Sequence, residues 1–176
     1  MKELSMVLAT VLCTIALLVP SGYAGGAAGK KGARKNSSGG VTAGSAHVVK
    51  TANVTAGSTS AVVTDSQGNA AAGNAAGVKT QNGMAGRAGA TTRSSDGTVQ
   101  HQSGAAATGR RGTASTKGSA TKNADGTGSA HRSTNATSTT GASYEGETDA
   151  TKSQGSTTVN HSSTCKDAQG NMVPCH

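Results

Sequence analysis

The apolar positions of this chain fall into two regimes. Residues 6–20, MVLATVLCTIALLVP, form an apolar run after the charged start Met1-Lys2, and SGYA (21–24) closes it with small residues. This pattern predicts a secretory signal peptide cleaved after Ala24, since the run is short for a membrane span and ends in a cleavage-type site. Beyond residue 24 there is no Leu, Ile, Phe or Trp, and the larger apolar residues are ten Val, Met84, Met172 and Tyr144. What remains are short stretches rich in Ala, Thr, Ser and Val, separated by polar segments that contain glycine. TVQHQS (98–103) and STTVNHSS (156–163) carry the β-branched residues that favour strands.

The separators recur. Gly68, Gly83, Gly97, Gly112, Gly126, Gly141, Gly155 and Gly170 follow one another at alternating steps of fifteen and fourteen positions. Their surroundings are turn-like: TDSQGN (64–69), TQNGM (80–84), TRSSDGT (92–98), TKNADGT (121–127) and TKSQGST (151–157). Glycine after Asn, Asp or Gln suits a turn that needs positive φ. Further glycines fall midway, at Gly89, Gly104, Gly118 and Gly146. Each repeat unit is therefore expected to hold two strands of about five residues and two turns.

These elements predict an all-β, repetitive fold. The leading form is a thin β-solenoid of 14–15-residue units with a small-residue core, each unit one coil stacked on the next. The alternatives are an antiparallel β-meander, with a glycine at each hairpin tip, and a largely disordered low-complexity chain. Four regions follow: the signal peptide 1–24, a flexible basic arm 25–40, a repeat region 41–164 and a C-terminal hairpin 165–176. Residues 41–63 are richer in Val and are expected to form the first coils, although the glycine register is lost there. Cys165 and Cys175 flank a Gln-Gly-Asn turn, and an exported chain with an even cysteine count is expected to join them as a disulfide that staples the end of the array.

Composition narrows the function. Without large side chains this chain cannot build the packed interior that holds catalytic groups in place, so no enzyme is expected, no catalytic residue is singled out and no cofactor is implied. His101, His131 and His161 recur at equal steps of thirty positions. Two coils of separation would keep them about 9–10 Å from one another, too far to share one metal ion, so they are read as surface histidines. A Cys2His2 set of His161, Cys165, Cys175 and His176 matches no standard zinc spacing. Asp65, Asp96, Asp125 and Asp167 have turn roles; Glu145, Glu147 and Asp149 alternate and would share one strand face as a solvated surface or weak cation site. The Asp-Gly turns resemble calcium-binding β-roll repeats but offer one acidic residue each. DSQGNAAAGNAAG (65–77) resembles curli-like repeats in composition and lacks their regular Gln and Asn positions.

The formal net charge is +8. Lys30, Lys31, Arg34 and Lys35 cluster near the start of the exported chain, and Arg87, Arg93, Arg110, Arg111, Lys117, Lys122, Arg132 and Lys152 are spread through the repeats. Such a surface suits nonspecific binding to anionic polysaccharide, an envelope surface or extracellular DNA. The expectation is a secreted, periplasmic or cell-surface protein with a structural, non-enzymatic role and no membrane segment after cleavage. Binding of anionic polymers or ice, and amyloid-like self-association, are the alternatives. Ice binding is disfavoured because Thr-x-Thr occurs once, at Thr137–Thr139.

Overall fold

The computed structural model describes residues 25–175. The signal peptide expected over residues 1–24, with cleavage after Ala24, lies outside the described residues. The chain forms one open antiparallel sheet: β1 (Gly26–Lys35), β2 (Val41–Lys50), β3 (Val54–Thr64), β4 (Ala70–Thr80), β5 (Gly83–Arg93), β6 (Val99–Gly109), β7 (Gly112–Lys122), β8 (Gly128–Ser138), β9 (Ser143–Ser153), β10 (Ser156–Lys166) and the two-residue β11 (Met172–Val173). Strand order in space is strand order in sequence.

The repetitive all-β fold therefore takes the antiparallel meander form, and the coils of a solenoid do not occur among the described residues. The repeat unit is one long strand and one turn, rather than two short strands and two turns. The correction lies in the midway glycines. Gly89, Gly104, Gly118 and Gly146 sit inside β5, β6, β7 and β9 and none has positive φ, so none reverses the chain. At Gly146 the missing side chain leaves room for the Tyr144 ring, which folds back along β9.

The glycines of the regular register all carry positive φ, from +80° at Gly155 to +155° at Gly83. Two kinds of turn alternate from β1 to β8, and the β8–β9 link is again of the long kind. The long kind, as in Ser94–Thr98, closes with Ser94 N–H donating to the Thr98 carbonyl (2.9 Å) and Gly97 N–H to the Ser94 carbonyl (3.0 Å). The same pattern holds residues 36–40, 123–127, 138–142 and 167–171. Short links such as Gln81-Asn82 and Arg110-Arg111 join the other strand ends. The turn at 36–40 carries Gly39 at φ +74°. Gly39 precedes Gly68 by the same interval that separates Gly68 from Gly97, so the register resumes before residues 41–63, whose own link at residues 51–53 has no glycine.

Residues 25–40, expected as a flexible arm, contain β1, which pairs with β2 along its whole length from Gly26↔Lys50 to Lys35↔Val41. Its side chains are all exposed. Pairing satisfies its backbone on one side, which outweighs a composition that reads as a linker.

No conventional core forms. Among the described residues only Ala61, Val63 and Ala71 are buried, together on one face of β3 and β4. Backbone ladders and turns hold the sheet instead. Turns at the same end of the sheet are also laced to each other. Ser66 N–H donates to the Ser38 carbonyl (3.0 Å), Ser95 N–H to Asn69 Oδ1 (2.8 Å) and Thr139 N–H to the Arg111 carbonyl (3.0 Å). At the C-terminal end Cys165 and Cys175 are joined, with Cα atoms 5.4 Å apart, and the bond holds β11 against the end of β10.

Two tests follow from this geometry. Gly126 has open space around a would-be Cβ, so Gly126→Ala should cost only the left-handed backbone penalty, about 1–2 kcal/mol. A Cβ on Gly112 would run into the Thr137 carbonyl oxygen of β8, so Gly112→Ala should lower the melting temperature further. Equal melting shifts would contradict the close β7–β8 approach. Reducing the Cys165–Cys175 bond should cost at most about 3 kcal/mol, the loop-closure value for so short a loop, read as a lower thermal midpoint with reductant.

Candidate functional site

In an antiparallel sheet, directly paired residues project to the same face, and successive residues alternate between faces. The pairing therefore sorts every strand residue into rows that cross the sheet. Two strands and two turns make one full repeat of twenty-nine positions, the interval between Gly68 and Gly97. Equivalent positions on alternate strands recur at that interval; Gln102, His131 and Asn160 share one row this way.

One face is apolar. A single row runs across all eleven strands: Ala27, Val49, Ala56, Val78, Ala85, Ala107, Ala114, Ala136, Tyr144, Cys165 and Val173. None of these residues is buried, and Val49 is 48% exposed. An open trough of about 720 Å³ follows the row between Val49 and Ala114. A second row on the same face runs from Ala33 through Ala43, Val62 and Ala72 to Ala120, Ala130, Ala150 and Val159. Only Thr91 and His101 interrupt it, and they hydrogen-bond to each other at 2.8 Å. Along the margin of this face lies a cationic row containing Lys35, Arg93, Lys122 and Lys152.

The opposite face is small and uncharged over most of β2–β5, with Gly44, Ala61, Gly73 and Ala90 in one row and Lys50 and Lys79 at its margin. It becomes polar toward β9, where Glu145, Glu147 and Asp149 project together. These are the carboxylates that the alternation in the sequence places on one face. His131 of β8 pairs with Asp149 and lies between two of them: Nδ1 is 2.8 Å from Asp149 and Nε2 is 3.6 Å from Glu147. This is the one place among the described residues where three possible metal-ligand side chains converge. Both ring nitrogens of His131 face carboxylates, which favours an imidazolium ion pair. The hydrogen bond to Asp149 comes first in raising the His131 pKa, and the charges of Asp149 and Glu147 add to it.

The three histidines do not line up as the sequence suggests. His101 and His161 are on the face of the apolar rows and His131 is on the opposite face, with the carboxylates. Their spacing exceeds the full repeat by one position, and a one-residue advance changes face. His161 Nδ1 bonds the Thr148 hydroxyl at 2.9 Å.

The turn aspartates act on their own turns. Asp65 Oδ1 accepts from the backbone N–H of Gln67 (2.8 Å) and Asn69 (2.9 Å), and Oδ2 accepts from Asn69 Nδ2 (2.7 Å). Asp167 repeats this set with Gln169 and Asn171. Asp125 accepts from Thr127, through both hydroxyl and backbone. The side-chain bonds from Asn69, Thr127 and Asn171 are the largest causes that hold these three carboxyls below the usual carboxylate value.

The sequence missed the rows. The signal was present at Val49, Val78, Ala107, Ala136 and Cys165, which follow one another at exact multiples of the full repeat. Antiparallel pairing is needed to interleave them with Ala56, Ala85 and Ala114. Among the described residues no helix is long and apolar enough to cross a membrane. Comparison with protein-family models, with curated proteins and with solved structures found no match.

Two pH effects of opposite sign are expected. The depressed aspartates stabilise the fold above their unfolded value near 3.8, and that stabilisation is lost as pH falls through their lower folded values. Asp65→Asn, which keeps the Oδ1 acceptor, should flatten this acid limb while keeping the turn; Asp65→Ala should lose both. The His131 pair stabilises below about pH 6.5 and loses its effect as pH rises through the raised folded value. The melting-temperature gap between wild type and His131→Gln should thus be wider at pH 5.5 than at pH 9; an unchanged gap would rule out the ion pair.

Proposed function

We propose that this chain is a secreted, non-enzymatic structural protein of an extracellular matrix or cell envelope, acting as a surface-coating sheet. The observation that carries the reading is the pair of apolar rows that cross the sheet uncovered, where the described residues form almost no buried interior. A monomer that exposes ordered apolar rows over this width has a face suited to lying against something else. Rigid backbone ladders and the C-terminal disulfide suit a persistent scaffold outside the cell. The absence of a packed interior leaves little to hold catalytic groups in a fixed constellation.

A second reading has its own support: a binding module for anionic polymers. Lys35, Arg93, Lys122 and Lys152 share one row, and those of β5, β7 and β9 stand on alternate strands, about 9–10 Å apart. A regular cationic row beside apolar rows suits a repeating anionic polysaccharide at an envelope surface.

Fractionation of the source cells tests the first reading. The chain should stay with the washed surface or matrix fraction; recovery only as free protein in the medium, or only inside the cell, would refute it. Co-sedimentation with a polyuronate tests the second. Replacing Lys35, Arg93, Lys122 and Lys152 with Gln should weaken binding about tenfold or more and reduce its salt dependence. An unchanged affinity would leave the row without that role.

A further inference from the structure

The two edges of the sheet are open and chemically unlike. Among the described residues β1 pairs only with β2, so its outer backbone edge is free over Gly26–Lys35. At the other side, β11 covers β10 only at Cys165 and Lys166, which leaves Ser156–Thr164 free. An unpaired strand edge is a template for another strand.

We propose that copies of this chain join head to tail, with β1 of one copy adding to the free edge of β10 of the next. The partner is a second copy of this chain. This goes beyond the coating role and does not depend on what the sheet lies against.

Charge on β1 and the position of β11 beside β10 select this pairing over the symmetric ones. β1 carries Lys30 and Arg34 on one face and Lys31 and Lys35 on the other, so two β1 edges repel. The free stretch of β10, STTVNHSST, has no lysine, arginine, carboxylate or proline. Full antiparallel pairing of β10 with another β10 would bring Ser156 opposite Lys166, where β11 already occupies the edge at both ends of the contact. β1 meets no like charge on β10, and its charged stretch lies clear of β11.

Register supports it as well. Continuing the meander places Arg34 of the incoming copy beside Thr158, Ala33 beside Val159, Lys30 beside Ser162 and Ala28 beside Thr164, where the free edge ends. Ala33 and Val159 are the two ends of the second apolar row, so that row would run on from copy to copy. Val159 is 61% exposed in the single chain. Lys30 would share a row with Ser162 and, one strand further in, Glu147. That is about 9–10 Å between Cα atoms, within reach of a lysine and a glutamate side chain together. A basic leading edge thus approaches an edge backed by the acidic strand β9. Because the contact is between unlike surfaces and adds strands in one direction, it does not close on two copies and builds an open filament.

The test uses the full chain, expressed from Met1, processed by the host and purified oxidised. Sedimentation velocity across a micromolar concentration series should show species that grow past the dimer, weaker at high salt because the attraction is screened. Electron microscopy should show them as thin filaments. Thr158→Lys with Ser162→Lys places like charges opposite Arg34 and Lys30 and should weaken association about tenfold. Adding Lys30→Glu and Arg34→Glu to that variant should restore it, which separates an interface effect from a folding defect. A chain that stays monomeric, growth that stops at two copies, association indifferent to the lysines on β10, or failure of the charge reversal to restore it would each overturn the proposal.

Discussion

Backbone hydrogen bonding between neighbouring strands is the interaction on which everything else in this protein depends. Most folds close an apolar interior and let the ladders follow. Among the described residues the interior amounts to Ala61, Val63 and Ala71, and each strand pairs only with the strands before and after it. Stability in such an array is close to a sum of neighbour terms, as in repeat proteins. The small side chains are the consequence. With both faces exposed, bulky apolar residues would find no cover, and Ala, Gly, Ser and Thr satisfy the sheet without demanding one.

That constraint fixes the surface. Once the ladder is antiparallel and its two-strand repeat has a constant length, side chains fall into rows whether or not any one residue contacts a ligand. The apolar rows, the cationic row beside them and the acidic patch on the other face are read out by the same register. A shift of one residue would scatter all of them, since it exchanges faces. The turns guard the register: their glycines allow the reversal, and Asp65 and Asp167 each fasten two backbone N–H groups of their own turn.

The same register explains how the edges differ from the faces. The faces repeat, while β1 and β10 each keep a backbone edge largely unpaired among the described residues. Lysines on β1 are a common protection against pairing of like edges. On this chain they leave a neutral edge at β10 unprotected and place the acidic strand β9 behind it. Net positive charge disfavours the in-register stacking of identical segments, and it is compatible with contact between a basic edge and an edge backed by carboxylates.

By itself the sequence determined the all-β repetitive character, the turn glycines, the turn role of Asp65, Asp125 and Asp167, the proximity of Cys165 and Cys175, and the shared face of Glu145, Glu147 and Asp149. These are local properties: φ preferences, short-range hydrogen bonds and two-residue alternation act within a few positions. Tertiary structure alone decided the rest. Glycine spacing is the same for a stacked coil and a meander, and only strand pairing separates them. Residues 25–40 read as an arm until β2 supplies a partner. His101, His131 and His161 look equivalent until a repeat one position shorter than their spacing turns it into a change of face. The rows exist only after pairing, because each draws its members from strands up to the full width of the sheet apart, and no local preference specifies which residue stands beside which.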